Sequence, residues 1–270
     1  MKKLLNTLYI TRQESYLHKE RETIVIKQGD DKLGQFPVLT IANILCFGQV
    51  SVSPFLMGFC AEKGIGLAFY TEYGRFMARV TGRHTGNVLL RREQYRWADS
   101  DTQSVGIARL MVAAKIANCR SVLLREMRNH GANNTLEKAV QRLAISRRRA
   151  GNAKSVAEVM GMEGEAAATY FSVFNELLRG GGLTFGGRVR RPPTDPVNAL
   201  LSFVYSLVTQ ECLSALSGVG LDPYVGFLHK DRPGRPSLAL DLLEEFRASW
   251  ADRFILTLIN RRQIHRVQKC

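Results

Sequence analysis

The side chains best suited to ligating a cation or moving a proton gather near the end of this chain. His229 sits in a stretch punctuated by Gly226, Pro233, Gly234 and Pro236, and Asp241, Glu244 and Glu245 follow at helical spacing. On a helix of 3.6 residues per turn, Ala239, Leu242, Leu243, Phe246 and Trp250 form an apolar stripe and the three carboxylates share the other side. An acidic helical face is ordinarily solvated surface, and Glu245 is assigned there. Glu163, between Gly161 and Gly164, taken alone reads as a first-turn carboxylate favoured by the helix dipole. Grouped with His229, Asp241 and Glu244, it makes a candidate acidic pocket inside a strongly basic chain, which stability alone does not explain. Carboxylate oxygens with one imidazole suit Mg2+ or Mn2+ rather than a structural zinc. Such a cation offsets the repulsion between the carboxylates and polarises a phosphate oxygen.

Helices must position these groups. Ser237, after Pro236, is the expected N-cap of a helix starting at Leu238, with His229 in the loop before it. Helical periodicity covers 105–130, 135–149, 155–160, 163–178 and 195–216. The run 195–216 is almost continuously apolar and is expected to be a buried core helix. Between 179 and 193, five glycines with Arg179, Arg188, Arg190 and Arg191 make either a mobile basic loop that approaches phosphates or a plain surface connection. The first part of the chain has another period. Short strands are expected over 4–10, 16–19, 22–27, 37–41, 49–51, 65–70 and 75–81, with one helix over 53–63. The reading is therefore α+β: a small N-terminal β-rich domain (1–86), a linker (87–104) and a larger all-α catalytic domain (105–270).

With 38 Lys and Arg against 24 Asp and Glu, the net charge is +14 and the pI about 9.9, so the field attracts polyanions, nucleic acid first among them. Apolar residues at 45% and charged residues at 23% exclude wholesale disorder. No signal-peptide core or convincing membrane span is read, and a cytoplasmic protein without a membrane partner is expected. Five scattered cysteines with no C-x-x-C spacing point to neither disulfides nor zinc. Lys115, Asn118, Arg120 and Arg125 on the 105–130 helix are candidate DNA-backbone contacts, or else a solvated basic face. Arg188, Arg190, Arg191 and Arg235 are further DNA-binding candidates.

Three segments carry a family resemblance: Gly161, Glu163, Gly164, Ala167, Ala168, Tyr170 and Phe171; Arg191 to Pro193 with Asp195 to Ser202; and Gly220 to Pro223 with Gly226 to His229, Gly234, Arg235, Ser237 to Ala239, Asp241, Glu244, Phe246 and Arg247. In order and content they resemble the universal CRISPR-associated integrase, the catalytic subunit of the bacterial spacer-acquisition complex, and the type I-C branch most closely. The resemblance implies a Mg2+ or Mn2+ site on Glu163, His229 and Glu244, with Asp241 as a further catalytic carboxylate. The implied reaction is DNA phosphoryl transfer, in which a 3′-hydroxyl of a captured fragment attacks a phosphodiester of the repeat array. With water as nucleophile the same site is an endonuclease. Implied partners are double-stranded and branched DNA, a second copy joined through the N-terminal domain, and a small ferredoxin-like CRISPR-associated subunit. Relatives continue well past Arg262, so the shorter C-terminal part is expected to leave apolar surface uncovered. The competing reading is a DNA-binding scaffold of the same fold without chemistry; an RNA-binding module is weaker, since no aromatic platform motif is visible.

Overall fold

The computed structural model describes residues 6–80, 82, 87–180, 182–189 and 192–264. The chain divides into two compact units, Met1–Gly86 and Asn87–Cys270. The first is built of β1 (Asn6–Ile10), β2 (Ser15–Glu20), β3 (Thr23–Gln28), β4 (Asp31–Pro37), β5 (Ile41–Phe47), β6 (Val50–Val52), α1 (Pro54–Lys63), β7 (Gly66–Tyr70) and β8 (Phe76–Val80). One sheet runs β1-β5-β7-β8, parallel except for β8; the other runs β4-β3-β2-β6, with only the β2–β6 pair parallel. Leu17, Ile24 and Ile26 of the second sheet share a core with Ile10, Ile44, Cys46 and Leu67 of the first and with Leu56, Phe59 and Cys60 of α1. α1 starts and stops as its sequence dictates. Ser53 accepts a hydrogen bond from the Leu56 amide, Pro54 occupies the first turn, and Gly64 closes the helix at φ 70°.

Two strands depart from the sequence reading. The strand expected over 37–41 is instead a 3-10 turn, Val38–Thr40, and the chain is extended on both sides of it as β4 and β5. β4 is polar and contains Gly34, so it resembles a loop, but charge and glycine suit a strand at the edge of its sheet. β5 is almost wholly apolar because it lies between two parallel neighbours, and it therefore lacks the alternation that marks a half-exposed strand.

The second unit is helical: α2 (Val88–Asp99), α3 (Asp101–His130), α4 (Asn134–Asn152), α5 (Val156–Ser172), α6 (Pro196–Val219), α7 (Ser237–Phe246), a π-helical stretch Arg247–Asp252, and α8 (Arg253–Asn260). The order is thus the expected one, strands first and helices after. Residues 87–104 are not a linker. They form α2 and the first turn of α3, and the buried Gln94 donates to the carbonyls of Asp222 (2.7 Å) and Val225 (2.8 Å) while accepting from the Asp222 amide (2.8 Å). α3 is the spine against which α4, α5 and α7 pack. α6 is long and apolar enough to cross a membrane by length and composition alone, yet Val197, Leu201, Val204, Val208 and Leu213 are buried in the helical core. Phe246, Trp250 and Phe254 remain partly exposed, the last two with stacked rings 5.7 Å apart.

Candidate active site

The loop between α6 and α7 is folded around Asp241. This side chain is wholly buried; Oδ2 accepts from the amides of Phe227 (2.7 Å) and Leu228 (2.9 Å), and Oδ1 accepts from the His229 amide (3.0 Å). His229 Nδ1 lies 2.6 Å from the same Oδ1. An acceptor-only carboxylate on Nδ1 makes that nitrogen the donor and leaves Nε2 as the imidazole's available lone pair. Asp241 therefore orients His229 from behind and does not face the pocket beside Glu244, contrary to the reading of the two as a forward-facing pair. Gly226 is required for this closeness: a Cβ there would lie 2.8 Å from Asp241 Oδ2 and 2.8 Å from the Ser237 carbonyl carbon. Ser237 is not the N-cap. It is the buried first residue of α7, and its hydroxyl donates to the Lys230 carbonyl (3.2 Å), tying the loop to the helix. Arg235 also binds the Lys230 carbonyl and reaches Ser237 Oγ at 3.3 Å, so its guanidinium braces the loop.

Glu163 and Glu244 come together on another residue. Lys115 of α3, 4% exposed, forms an ion pair with Glu163 Oε1 and has its Nζ 2.5 Å from Glu244 Oε2, in a geometry outside the hydrogen-bond range. Arg247 takes the other oxygen of Glu244 at 3.1 Å. Burial opposes the charge on Glu244, but Lys115 and then Arg247 outweigh it and hold the carboxyl below its ordinary range. Burial likewise opposes the charge on Lys115, and Glu244 and Glu163 outweigh it, so the ammonium loses its proton less readily than an ordinary lysine. Lys115 is thus no DNA-backbone contact; its neighbour Asn118 is also taken up internally, donating to the Glu245 carbonyl at 2.8 Å. Glu163 is not at a helix start either. It lies in the middle of an unbroken α5, which absorbs both Gly161 and Gly164, and from there it reaches across to α3.

Behind Glu244 the polar chain continues. The Arg247 guanidinium lies 5.0 Å from the centre of the Tyr205 ring, and the Tyr205 hydroxyl donates to Asp252 Oδ1 at 2.6 Å. Arg247 and Asp252 are the two ends of the π-helical stretch, a widened turn of the kind that recurs at functional sites. Burial pushes the Asp252 carboxyl up to about 6.

His229 opens into a cavity of about 990 Å³ whose wall carries Arg188, Arg232, Arg235 and Arg247. Arg188 is half-buried, and its NH groups donate to Asn198 Oδ1 (2.8 Å), Ser202 Oγ (3.2 Å) and the Val189 carbonyl (2.8 Å). The glycine-rich segment is therefore anchored here, and again where Asn175 brackets Phe185 and where Gly180 packs onto the carbonyl of Ile259. Arg190 and Arg191 lie outside the described residues. Arg125 is exposed on α3, whereas the Nε of the half-buried Arg120 is out of solvent.

The donor chemistry fits a divalent cation. Two carboxylates already converge on one positive charge, and His229 lines the same cavity as Arg247, which holds Glu244. Among the described residues no three His, Cys, Asp or Glu side chains converge on a single point, and the Lys115 ammonium lies between Glu163 and Glu244. The sequence reading missed Lys115 as a site residue and gave Arg247 no role. The i, i+3 spacing of Glu244 and Arg247 was the one visible signal for the latter.

Known proteins resemble this chain over nearly its whole length. The family profile described as CRISPR associated protein Cas1 matches residues 8–268. A CRISPR-associated endonuclease Cas1 from Chlorobaculum tepidum is 52% identical over 270 residues, covering 98% of this chain and 79% of its own length. A Cas1 structure from Thermotoga maritima superposes with a TM-score of 0.78 at 27% identity, covering 96% of this chain and 80% of that one. A casposase bound to its integration product has the same fold, with a TM-score of 0.78 at 22% identity over 97% of this chain and 74% of that one. With its strand-then-helix order and a family match over nearly its whole length, the chain belongs to the CRISPR-associated Cas1 family.

Proposed function

We propose that this chain is a metal-dependent DNA endonuclease and integrase that inserts captured fragments into a CRISPR array. The observation that carries the reading is the meeting of Glu163 and Glu244, from separate helices, on one positive charge, with Glu244 also held by Arg247, which lines one cavity with the His229 that Asp241 orients. Glu163, His229 Nε2 and Glu244 would hold Mg2+ or Mn2+. When bound, the cation polarises a phosphate oxygen and lowers the pKa of the attacking hydroxyl. The chain's own residues do the rest. Asp241 keeps the proton on Nδ1, so that Nε2 faces the site with its lone pair. Arg247 keeps Glu244 ionised and directed forwards. Arg232 and Arg235 supply positive charge beside His229, where the phosphodiester would lie. In the reaction the 3′-hydroxyl oxygen loses its proton and forms a bond to phosphorus as the bond to the departing 3′-oxygen breaks, and that oxygen takes up a proton, so phosphodiester number is conserved; water in place of the hydroxyl gives cleavage.

The chain is proposed to act on double-stranded and branched DNA, as a homodimer joined through its N-terminal unit and assembled with a small ferredoxin-like partner. A nuclease and strand-transfer assay on branched DNA with Mn2+ or Mg2+, run beside a binding assay, tests the chemistry. Glu163→Gln and His229→Ala should abolish cleavage and transfer and leave binding intact. A parent chain that binds branched DNA but never cuts or joins it with either metal leaves only a scaffold.

A further inference from the structure

We propose that Lys115 is an internal counter-ion that occupies the cation position of the active site in the metal-free protein and is displaced when a divalent cation binds. The inference rests on the metal-site reading above and adds a residue outside its ligand set.

Burial is the first reason. Lys115 projects from the core-facing side of α3, beside the buried Val112, Ile116 and Cys119, and an ammonium in such a position is tolerated only when paired. Its Nζ is held by one oxygen of Glu163 and one of Glu244. Glu244 supplies the second reason. It is 3% exposed, and Arg247 reaches only one of its oxygens, so the other needs a positive charge from the pocket side. Without one, two carboxylates from different helices would face each other in a poorly solvated site and push α5 and α7 apart. Lys115 meets that need from within the chain.

A divalent ion on the same two carboxylates would place two units of charge against the ammonium in the same space. Both cannot stay. The flexible four-carbon stem of a lysine can re-aim its head, whereas Glu244 is also held by Arg247. The metal-free site is therefore assembled but masked, and apparent metal affinity is reduced by the fraction of molecules in which the ammonium holds the position.

The test uses the full chain stripped of metal, with Mn2+ as the probe and free Mn2+ read by electron paramagnetic resonance. Lys115→Met, close in length and uncharged, should bind Mn2+ about tenfold tighter or more than the parent. Its metal-free form should unfold at lower urea. A folded Lys115→Met that binds Mn2+ no more tightly than the parent overturns the proposal. Should that variant not fold without metal, the parent gives an independent answer: acetic anhydride labelling followed by mass spectrometry should leave Lys115 unmodified without metal and modify it at saturating Mn2+. Protection that persists in Mn2+ overturns displacement. A parent that binds no Mn2+ overturns the metal reading as well, an outcome distinct from normal binding in the parent with no gain in Lys115→Met.

Discussion

At the scale of single residues, Asp241 is the most heavily committed side chain in the site. Its two oxygens take three backbone amides and one imidazole, and no uncharged side chain reproduces that set. Asp241→Asn keeps the volume but turns one acceptor into a donor facing amide donors. It should lower stability by about 2 kcal/mol in urea unfolding and reduce cleavage as the imidazole loses its orientation. Gly226→Ala tests the same loop by sterics. The added methyl would meet the backbone of Ser237, which no side-chain rotation relieves, so a loss of about 1–3 kcal/mol is expected, with weakened cleavage. Either variant unfolding at the parent's urea midpoint would mean that the loop is held by something else. The residue types around 229–244 are legible in the sequence as a site. Which carboxylate faces the pocket is not, because Asp241 and Glu244 share a helical side and differ only in what the preceding loop does with them.

At the scale of elements, α5 shows where local signals mislead. Two glycines flank Glu163, and a sequence reading ends one helix before Gly161 and begins another at Glu163, yet α5 runs straight through. Neither glycine is needed for backbone conformation, and a Cβ at either would meet nothing within 4 Å. Gly161→Ala and Gly164→Ala should therefore each stabilise the protein by about 0.5–1 kcal/mol, read as a higher urea midpoint; a drop would show that the missing side chain is needed there. Helix propensity argued for a break, and packing of α5 on α3 and α4 overrode it. The same holds for α2, whose charged sequence looks like a connector until Gln94 finds its partners in the 222–225 backbone, far along the chain. The helix ends, in contrast, are written locally: Asn133, Ser155 and Asp195 each cap the helix that follows.

At the scale of the whole molecule, the charge of +14 implies DNA binding that weakens steeply with salt. Removing a side chain that neutralises one phosphate should flatten the slope of log K against log salt by about 0.9. Arg232→Ala, on the cavity wall, should show that change, and Lys115→Met, being buried, should leave the slope alone. Equal slopes for parent and Arg232→Ala would remove that cavity from the DNA path. Stability against pH carries two opposed contributions. Asp252, raised from 3.8 to about 6, contributes fully below 3.8, and that contribution is lost as pH rises through about 6. Glu244, held below 4.5, contributes above 4.5 and loses that contribution as pH falls. Asp252→Asn, which can still accept from Tyr205, should remove the decline between pH 4 and 7, on the order of 2–3 kcal/mol. Urea unfolding across that range checks it, and parallel curves for parent and variant would discount Asp252.

What the sequence determined by itself is what depends on near neighbours or on simple composition: the strand-then-helix order, the capped starts of α4, α5 and α6, the polyanion-seeking charge, and a histidine with carboxylates of metal-ligating type. The tertiary structure decided which of those carboxylates meet. Glu163 and Glu244 touch one ammonium because α3, α5 and α7 pack together, and Asp241 turns inward because the loop before α7 closes over it. Lys115 reads in sequence as one more basic residue on a basic helix. Only packing, by removing it from water and placing two carboxylates at its head, makes it part of the site.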